Sequence, residues 1–439
     1  MRFSLFVGLS LACTSFVQAQ IPESPRRTLP EFLELAEKSG PQLDEARAKV
    51  DYAHAREDYA ASKGLPFGKL EILGAPAPGA EGDSLSGRTL WGSWGPLMWS
   101  SGELIQPLYT FGAIGNAKRA ARAGREAEEK LLERDVWALR NQISEYYFGY
   151  QLAFELGDLA ESVLKDLNKA YDKVKNSSSA SGKRDADKLF VFLKEAETRQ
   201  LEARKVMDQA RLGMAWRAGI NAPETPRWDR ANLVAREVQL QDIEAYRKLA
   251  HENRPELVAL DRDVEARESL ANVESALRYP QLFLGGRFTY SVAPQRANQT
   301  SPFAYDPSNE LSGGVALGLR WNLAFFEGHA KLSQARAEAA QAKARQRFLG
   351  SGILAEVEKN YLDVKQLQAA LALRADAAAA AKRVFRDLVV AYSLGTNSDA
   401  KSLLESLGQH VSAEKSRLEA VFQFNMAAAR LEQSVAHKL

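Results

Sequence analysis

Hydrophobic and polar positions alternate with two different periods along this chain, and the change of period marks its elements. In "VALGLRWNLAF" (315–325), Val315, Leu317, Leu319, Trp321, Leu323 and Phe325 fall on one side of a period of two. Ala316, Gly318, Arg320, Asn322 and Ala324 fall on the other. Alternation of that length predicts a β-strand able to cross a bilayer at a tilt. "QLFLGGRFTYS" (281–291) behaves likewise, with Leu282, Leu284, Phe288 and Tyr290 set against Arg287, Thr289 and Ser291. Two earlier segments are weaker: "KLEIL" (69–73) is short, and "PLMWSSGELIQPLY" (96–109) alternates imperfectly around Gly102. The Gly/Pro/Ser/Asn-rich stretches 74–89 and 293–314 predict exposed hairpin loops between the strands of each pair.

Elsewhere the pattern is helical. A medium helix is expected over about 29–62 and again over about 242–278, each opening near a proline and ended by one. Long stretches rich in Ala, Lys, Arg, Glu and Gln run from Gly112 to about Lys175 and from Gly328 to Tyr392. At 1.5 Å per residue each would reach roughly 90 Å, far beyond the helix of a globular domain. Each is interrupted once, at 176–185 and at 395–399, and a return helix follows. The second interruption, "YSLGTNSDA" (392–400), sets a glycine among Thr, Asn, Ser and Asp, which is turn and capping chemistry.

The same frame occurs twice. Pro41 and Pro255, Leu43 and Leu257, Val50 and Val264, Pro66 and Pro280, Tyr147 and Tyr361, and Asp185 and Asp399 are all 214 positions apart. The chain is therefore read as two copies of one unit: helix, β-hairpin, long helix, turn, return helix. The copies span 20–218 and 246–439, with a linker region at 219–245.

Composition narrows the function classes. The 439 residues carry a formal net charge of +2, which gives no reason to invoke nucleic acid. Arg2, the apolar run that follows and Val17-Gln18-Ala19 read as a signal peptide over residues 1–19, and Ile21-Pro22 and Pro25 stop any helical continuation. Cys13 is the only cysteine, so cleavage after Ala19 leaves none. Acylation of Cys13 is the alternative, although Ser10 stands where a bulky aliphatic is expected. Beyond the signal no run of 18 apolar residues occurs, so an exported chain is either soluble or spans a membrane through β-strands.

The histidines, His54, His251, His329, His410 and His437, are scattered without metal-ligand spacing. No phosphate-binding glycine motif occurs; "GGRFTYS" is glycine within a strand, and Asn298-Gln299-Thr300 marks an exposed loop. Neither a cofactor, a metal nor an enzymatic site is expected. Trp91, Trp94, Trp99 and Trp321 lie on or beside the strands. They read either as the core of a soluble sandwich or as aromatics at a membrane interface, and the signal peptide favours the second.

The order of these parts resembles the TolC-type outer-membrane efflux proteins over nearly all the mature chain. "NRPEL", "ALRYPQLFLGG", "LRWNLAFFEGHAKLSQARAEA", "QPLYTFGAIGNAKRAARA" and "YSLGTNSDA" carry the match. The resemblance implies an α+β membrane protein, a homotrimer. Long coiled-coil hairpins would form an α-helical barrel in the periplasm, and four strands per protomer a shared transmembrane β-barrel in the Gram-negative outer membrane. Residues 219–245 and the C-terminal tail would form an equatorial belt. The implied function is passive export within a tripartite efflux or type I secretion system, with a periplasmic adaptor and an inner-membrane pump of RND, ABC or MFS type as partners. A soluble periplasmic coiled-coil scaffold or adaptor is the competing reading.

The resemblance also implies that the two turns form the periplasmic gate and adaptor-docking tip. Tyr392, Leu394, Gly395, Thr396, Asn397 and Asp399 would belong to one turn, and Gly182 and Asp185 to the other. In the family an arginine after the Gly-Thr pairs with the aspartate beside the tyrosine; here that position is Asn397, leaving Lys183 or Arg184 to substitute. Positions that carry an acidic ring in some relatives hold Lys401 and Leu404, with Glu405 adjacent.

Overall fold

The two repeats fold into the same succession of elements. The computed structural model describes residues 26–82, 86–176, 178–220, 227–228, 232–299, 301, 303, 305–394 and 400–439. The expected signal peptide and Gly395, Thr396, Asn397 and Asp399 of the second turn lie outside the described residues. After the short strand β1 (Arg26–Arg27), the first repeat comprises α1 (Leu29–Ser39), α2 (Pro41–Ser62), β2 (Phe67–Glu81), β3 (Arg88–Tyr109), α3 (Ala113–Val174) and α4 (Ala180–Arg217). Strand β4 (Arg227–Trp228) pairs in parallel with β1 and clips the N-terminal segment to the region between the repeats. The second repeat comprises α5 (Ile243–Asn253), α6 (Pro255–Ala276), β5 (Gln281–Val292), β6 (Glu310–Arg320), α7 (Phe325–Leu394) and α8 (Ala400–Val435).

The helix expected to open each repeat is two helices. Pro41 and Pro255 force the preceding residue out of helical conformation, and both are tolerated at a helix start because they lack only an orphan N–H. Gly40 (φ −67°, ψ 116°) and Arg254 (φ −67°, ψ 114°) accordingly end one helix and begin the next.

The four long strands form one antiparallel sheet in the order β2-β3-β5-β6. The first hairpin is much longer than its sequence suggests. Most of 74–89, expected as a loop, is strand: β2 runs to Glu81 and β3 starts at Arg88. Pro76 stands opposite Pro96. Neither has an N–H, so this is a non-hydrogen-bonded pair, where an edge strand accommodates proline without losing a ladder bond. A bulge after Pro78 leaves Trp91, Gly92 and Ser93 without partners on β2. The second hairpin keeps its long loop, but β6 begins at Glu310 and ends at Arg320, so Trp321 and Leu323 lie beyond the strand and Phe325 starts α7.

Register sorts the residues onto two faces. Leu70, Gly102, Phe288 and Gly313 form one row, and Leu104, Gly286 and Val315 the next on the same face. On the opposite face Lys69, Glu103, Arg287 and Gly314 form a row. The apolar face is bare: Leu70 is 61%, Val315 75% and Leu317 66% exposed. That excludes the core of a sandwich, where such residues would be covered. Phe288 covers Gly102, where a Cβ would run into its ring, so glycine is what admits the aromatic.

At the end of β3, Phe111 (φ 51°) and Gly112 (φ 87°) take two successive left-handed conformations and turn the strand into α3. Helices α3 and α7 then run past everything else. Nearer the sheet the side-by-side order is α2, α3, α6, α7; beyond the middle it is α4, α3, α8, α7. Around the middle Phe32, Leu139, Ile143 and Met214 form one core, and Tyr246, Val357, Val364, Phe424 and Leu431 another. The extended segment after β4 is held there by Asn425, fully buried, which donates to the Val234 carbonyl (2.9 Å) and accepts from the Arg236 N–H (2.9 Å). Among the described residues no helix is long and apolar enough to cross a membrane.

Candidate functional site: the helical tip

At the ends of the long helices farthest from the sheet, both hairpins contribute to one apolar cluster. It joins Val163 and Leu167 of α3, Leu189 and Leu193 of α4, Phe385 of α7, and Leu403, Leu404 and Leu407 of α8. Tyr171, Val174 and Tyr392 pack against it at its outer limit. The two repeats therefore close against each other here, although 214 positions separate their turns.

The first turn is shorter than expected. Helix α3 ends at Val174 and α4 begins at Ala180, capped by Ser179, whose hydroxyl oxygen accepts from the Gly182 N–H at 3.0 Å. The cap satisfies an orphan donor and starts the helix early. Gly182 and Asp185, expected in the 176–185 interruption, consequently lie inside the first turns of α4. Asp185 is 3.6 Å from Lys188 one helical turn on, a partly exposed pair of little energetic weight. Burial, and then the negative charge of Asp185 across the tip, raise the pKa of Tyr392. The structure thus brings together one residue expected at each turn. Leu394 is the last residue of α7.

The positions considered for an acidic ring behave differently from one another. Leu404 is buried in the tip cluster, so a carboxylate there would lie in an apolar core. Lys401 is exposed and pairs loosely with Glu405 at 3.8 Å.

Sequence reading missed His410. It is 8% exposed, its ring is stacked on Phe385 (centroids 5.4 Å apart, 15° between planes), and its Nδ1 has no hydrogen-bond partner. Burial lowers its pKa; Glu414 opposes that shift and Lys382 adds to it. Glu414 is in turn held 2.6 Å from Arg417. The signal was present in sequence: His410 follows Leu407 by three residues and so shares its apolar helical face.

The tryptophans divide into groups. Trp91 and Trp94 lie at the hairpin end of the sheet, exposed, with ring centroids 6.3 Å apart and the Trp94 indole N–H donating to the Trp91 carbonyl at 2.8 Å. Trp321 lies at the helical end, donating to the Arg278 carbonyl at 3.0 Å and edge-on to Phe325 at 5.8 Å. Nearby, Phe111 stacks on Tyr279 at 5.1 Å and meets Tyr109 edge-on at 4.8 Å. Trp99 stands opposite Leu73 and Ser291, which puts it on the face of Lys69, Glu103 and Arg287 rather than the apolar face. Among the described residues no cluster of His, Cys, Asp or Glu is arranged to hold a metal ion.

Residues 247–437 match the family model described as outer membrane efflux protein. No curated protein matches the chain. Its fold is similar to that of the outer-membrane channel OprN (TM-score 0.75, 18% identity, 93% of this chain and 89% of that one). The Neisseria gonorrhoeae MtrE outer membrane channel in its open state gives 0.76 and 17%, over 94% and 90%. The Vibrio cholerae outer membrane protein VceC gives 0.75 and 15%, over 93% and 96%. The second repeat matches the sequence of the outer membrane efflux protein family, and both repeats together carry the fold of these outer-membrane channels.

Proposed function

We propose that three copies of this chain form a passive exit duct. Each copy gives four strands to one β-barrel in the outer membrane and its helices to a periplasmic tunnel. Substrate arrives from an adaptor and an inner-membrane pump, in a tripartite efflux or type I secretion system, and the pump supplies the energy.

The observation that carries this reading is the sheet. Its four strands are open at β2 and β6, and one face is apolar and uncovered. Lipid does not tolerate unpaired strand edges, so a single copy is incomplete there and copies must close the sheet. The opposite face, with Lys69, Glu103 and Arg287, suits a water-filled lumen. Trp94 at one end of the sheet and Trp321 at the other fit the two interfaces of the bilayer. A soluble scaffold has no use for such a face. Fractionation tests the choice: we expect the protein in the outer membrane, migrating as an oligomer on gels until heated. Recovery as a soluble periplasmic protein would remove the duct.

The tip is the gate in this reading, with an adaptor hairpin docking at the turns and spreading the helices between two packings. Proximity of Asp185 to Tyr392 supports a lock that uses the aspartate without the arginine replaced by Asn397. Asp185→Arg should impair export while leaving the oligomer intact; loss of the oligomer would count against this role.

A further inference from the structure

The internal duplication specifies more than the shape of one copy, because it also says how the open sheet edges should meet. We infer that β6 of one copy pairs with β2 of the next in a single register, with Arg320 opposite Glu71 and Ala316 opposite Ala75. This rests on the duct reading and adds the seam that closes it.

The two hairpins supply the equivalence. Phe67 pairs with Ile105 in the first and Gln281 with Arg320 in the second. Phe67 and Gln281 lie 214 positions apart, the spacing of the repeat, so Ile105 and Arg320 hold the same place in their hairpins. Where the hairpins meet inside one copy, Ile105 faces Gly285. Carried to the free edges, Arg320 takes the place of Ile105 and Glu71 that of Gly285. The stretch of β3 used here, Met98 to Gln106, pairs with β5 without a bulge, so the transfer is regular from Gly313 to Arg320 of β6.

Three observations agree with that register. The first is facial parity. Arg320 shares a face with Arg287's partner Gly314, and Glu71 shares one with Lys69, so both lie on the charged face. Leu317 and Gly74, opposite one another, both lie on the apolar face.

The second is hydrogen-bond phase. Because Pro76 and Pro96 form a non-hydrogen-bonded pair, the N–H groups of Leu70, Ile72 and Gly74 point away from β3 to the free edge. The same alternation, followed across β3 and β5, turns the N–H groups of Leu317 and Leu319 outward from β6. In the inferred register Leu319 meets Ile72 and Leu317 meets Gly74, so outward groups meet outward groups. Pro76 and Pro78 then stop the ladder toward the hairpin tip.

The third is charge. Within the chain Arg320 lies over the Phe283 ring at 5.1 Å, and no ion pair to it occurs among the described residues. Among the described residues Glu71 pairs with the exposed Lys69 alone, at 3.2 Å. A seam that sets Arg320 against Glu71 gives each an opposite charge across neighbouring strands, as Glu103 already has in Arg287.

Paired cysteines in the full-length protein test this, since the only native cysteine is Cys13. Ala75→Cys with Ala316→Cys places two small residues opposite each other in a non-hydrogen-bonded pair, about 4.5 Å between Cα atoms, within disulfide reach. Oxidised outer membranes should give disulfide-linked dimers and trimers on non-reducing gels. The shifted pairs Leu73→Cys with Ala316→Cys and Ala77→Cys with Ala316→Cys should give far less. Faster cross-linking by a shifted pair overturns the register. A heat-modifiable trimer that none of the three pairs links overturns this seam and leaves the duct. Absence of any oligomer overturns both. Independently, Glu71→Arg and Arg320→Glu should each lower the temperature at which the trimer dissociates on gels, and the double exchange should restore it; no restoration contradicts the pairing.

Discussion

The two repeats share a fold but reach it from different sequences. The second matches the family model over 247–437, and the first has the same elements in the same order. The point where the paired opening helices meet shows how this is possible. Gly40 and Arg254 are equivalent and have nearly the same backbone angles. Arg254 is buried, 2.9 Å from both Glu256 and Glu356, and also donates to the Gln433 carbonyl at 3.3 Å. At Gly40 the same space is occupied: an added Cβ would lie 3.0 Å from the Arg217 carbonyl and 3.2 Å from Leu139. One repeat fixes the joint with a charge network and the other with close backbone packing. What persists is the proline that follows and the frame it imposes.

Exchanging these solutions should be costly, and in different repeats. Arg254→Ala takes the shared cation from Glu256 and Glu356, which are themselves 20% and 46% exposed, so the cost is that of lost charged hydrogen bonds, about 1.5–3 kcal/mol. Thermal or denaturant unfolding should show the second repeat released first. Gly40→Arg instead overpacks the first repeat, for about 1–3 kcal/mol. The same repeat released first in both variants would mean that the network and the packing are not the distinct supports described.

The tip tests whether the repeats depend on each other there. Leu189 of α4 is fully buried in a cluster to which both hairpins contribute. Leu189→Ala should cost about 2–5 kcal/mol and speed proteolysis in both hairpins; cleavage confined to the first would show that they are independent.

A smaller effect should follow from His410. Its pKa is lower in the fold than its ordinary value, so the unfolded tip binds the proton more readily. Stability is therefore fully present above about pH 6.5 and is lost as pH falls through the depressed folded value. Protease sensitivity of the tip should rise on acidification in the native protein and not in His410→Leu. Acid sensitivity retained by the variant would assign it elsewhere. The smallest change is expected at Arg247, exposed between Glu244 and Glu358. Arg247→Ala should leave the unfolding transition where it is in the native protein, because an exposed ion pair is screened by solvent.

These contrasts also show what was legible in the sequence. Long helices and the second hairpin could be read because Ala-rich stretches and a strict alternation each point to one structure. The first hairpin could not, since Pro76, Pro78, Gly92 and Gly95 look like loop until edge pairing and a bulge accommodate them. The break at 40–41 was hidden because proline also opens helices, and a frame that reads as one helix is in fact two. At the tip, Asp185 and Tyr392 were recognised by resemblance to a family and by position within the repeat, whereas the closure of both hairpins on one apolar cluster is a tertiary fact. His410 escaped because a histidine on an apolar face reads as incidental until its burial is seen.

The central claim is that one copy is a third of a closed structure. The native mass of the protein extracted from outer membranes in mild detergent tests it most directly. The account predicts a particle of three chains, with no stable single copy in the membrane fraction. A monodisperse single copy, embedded and folded, would contradict it, because four strands with two open edges would then be stable in lipid.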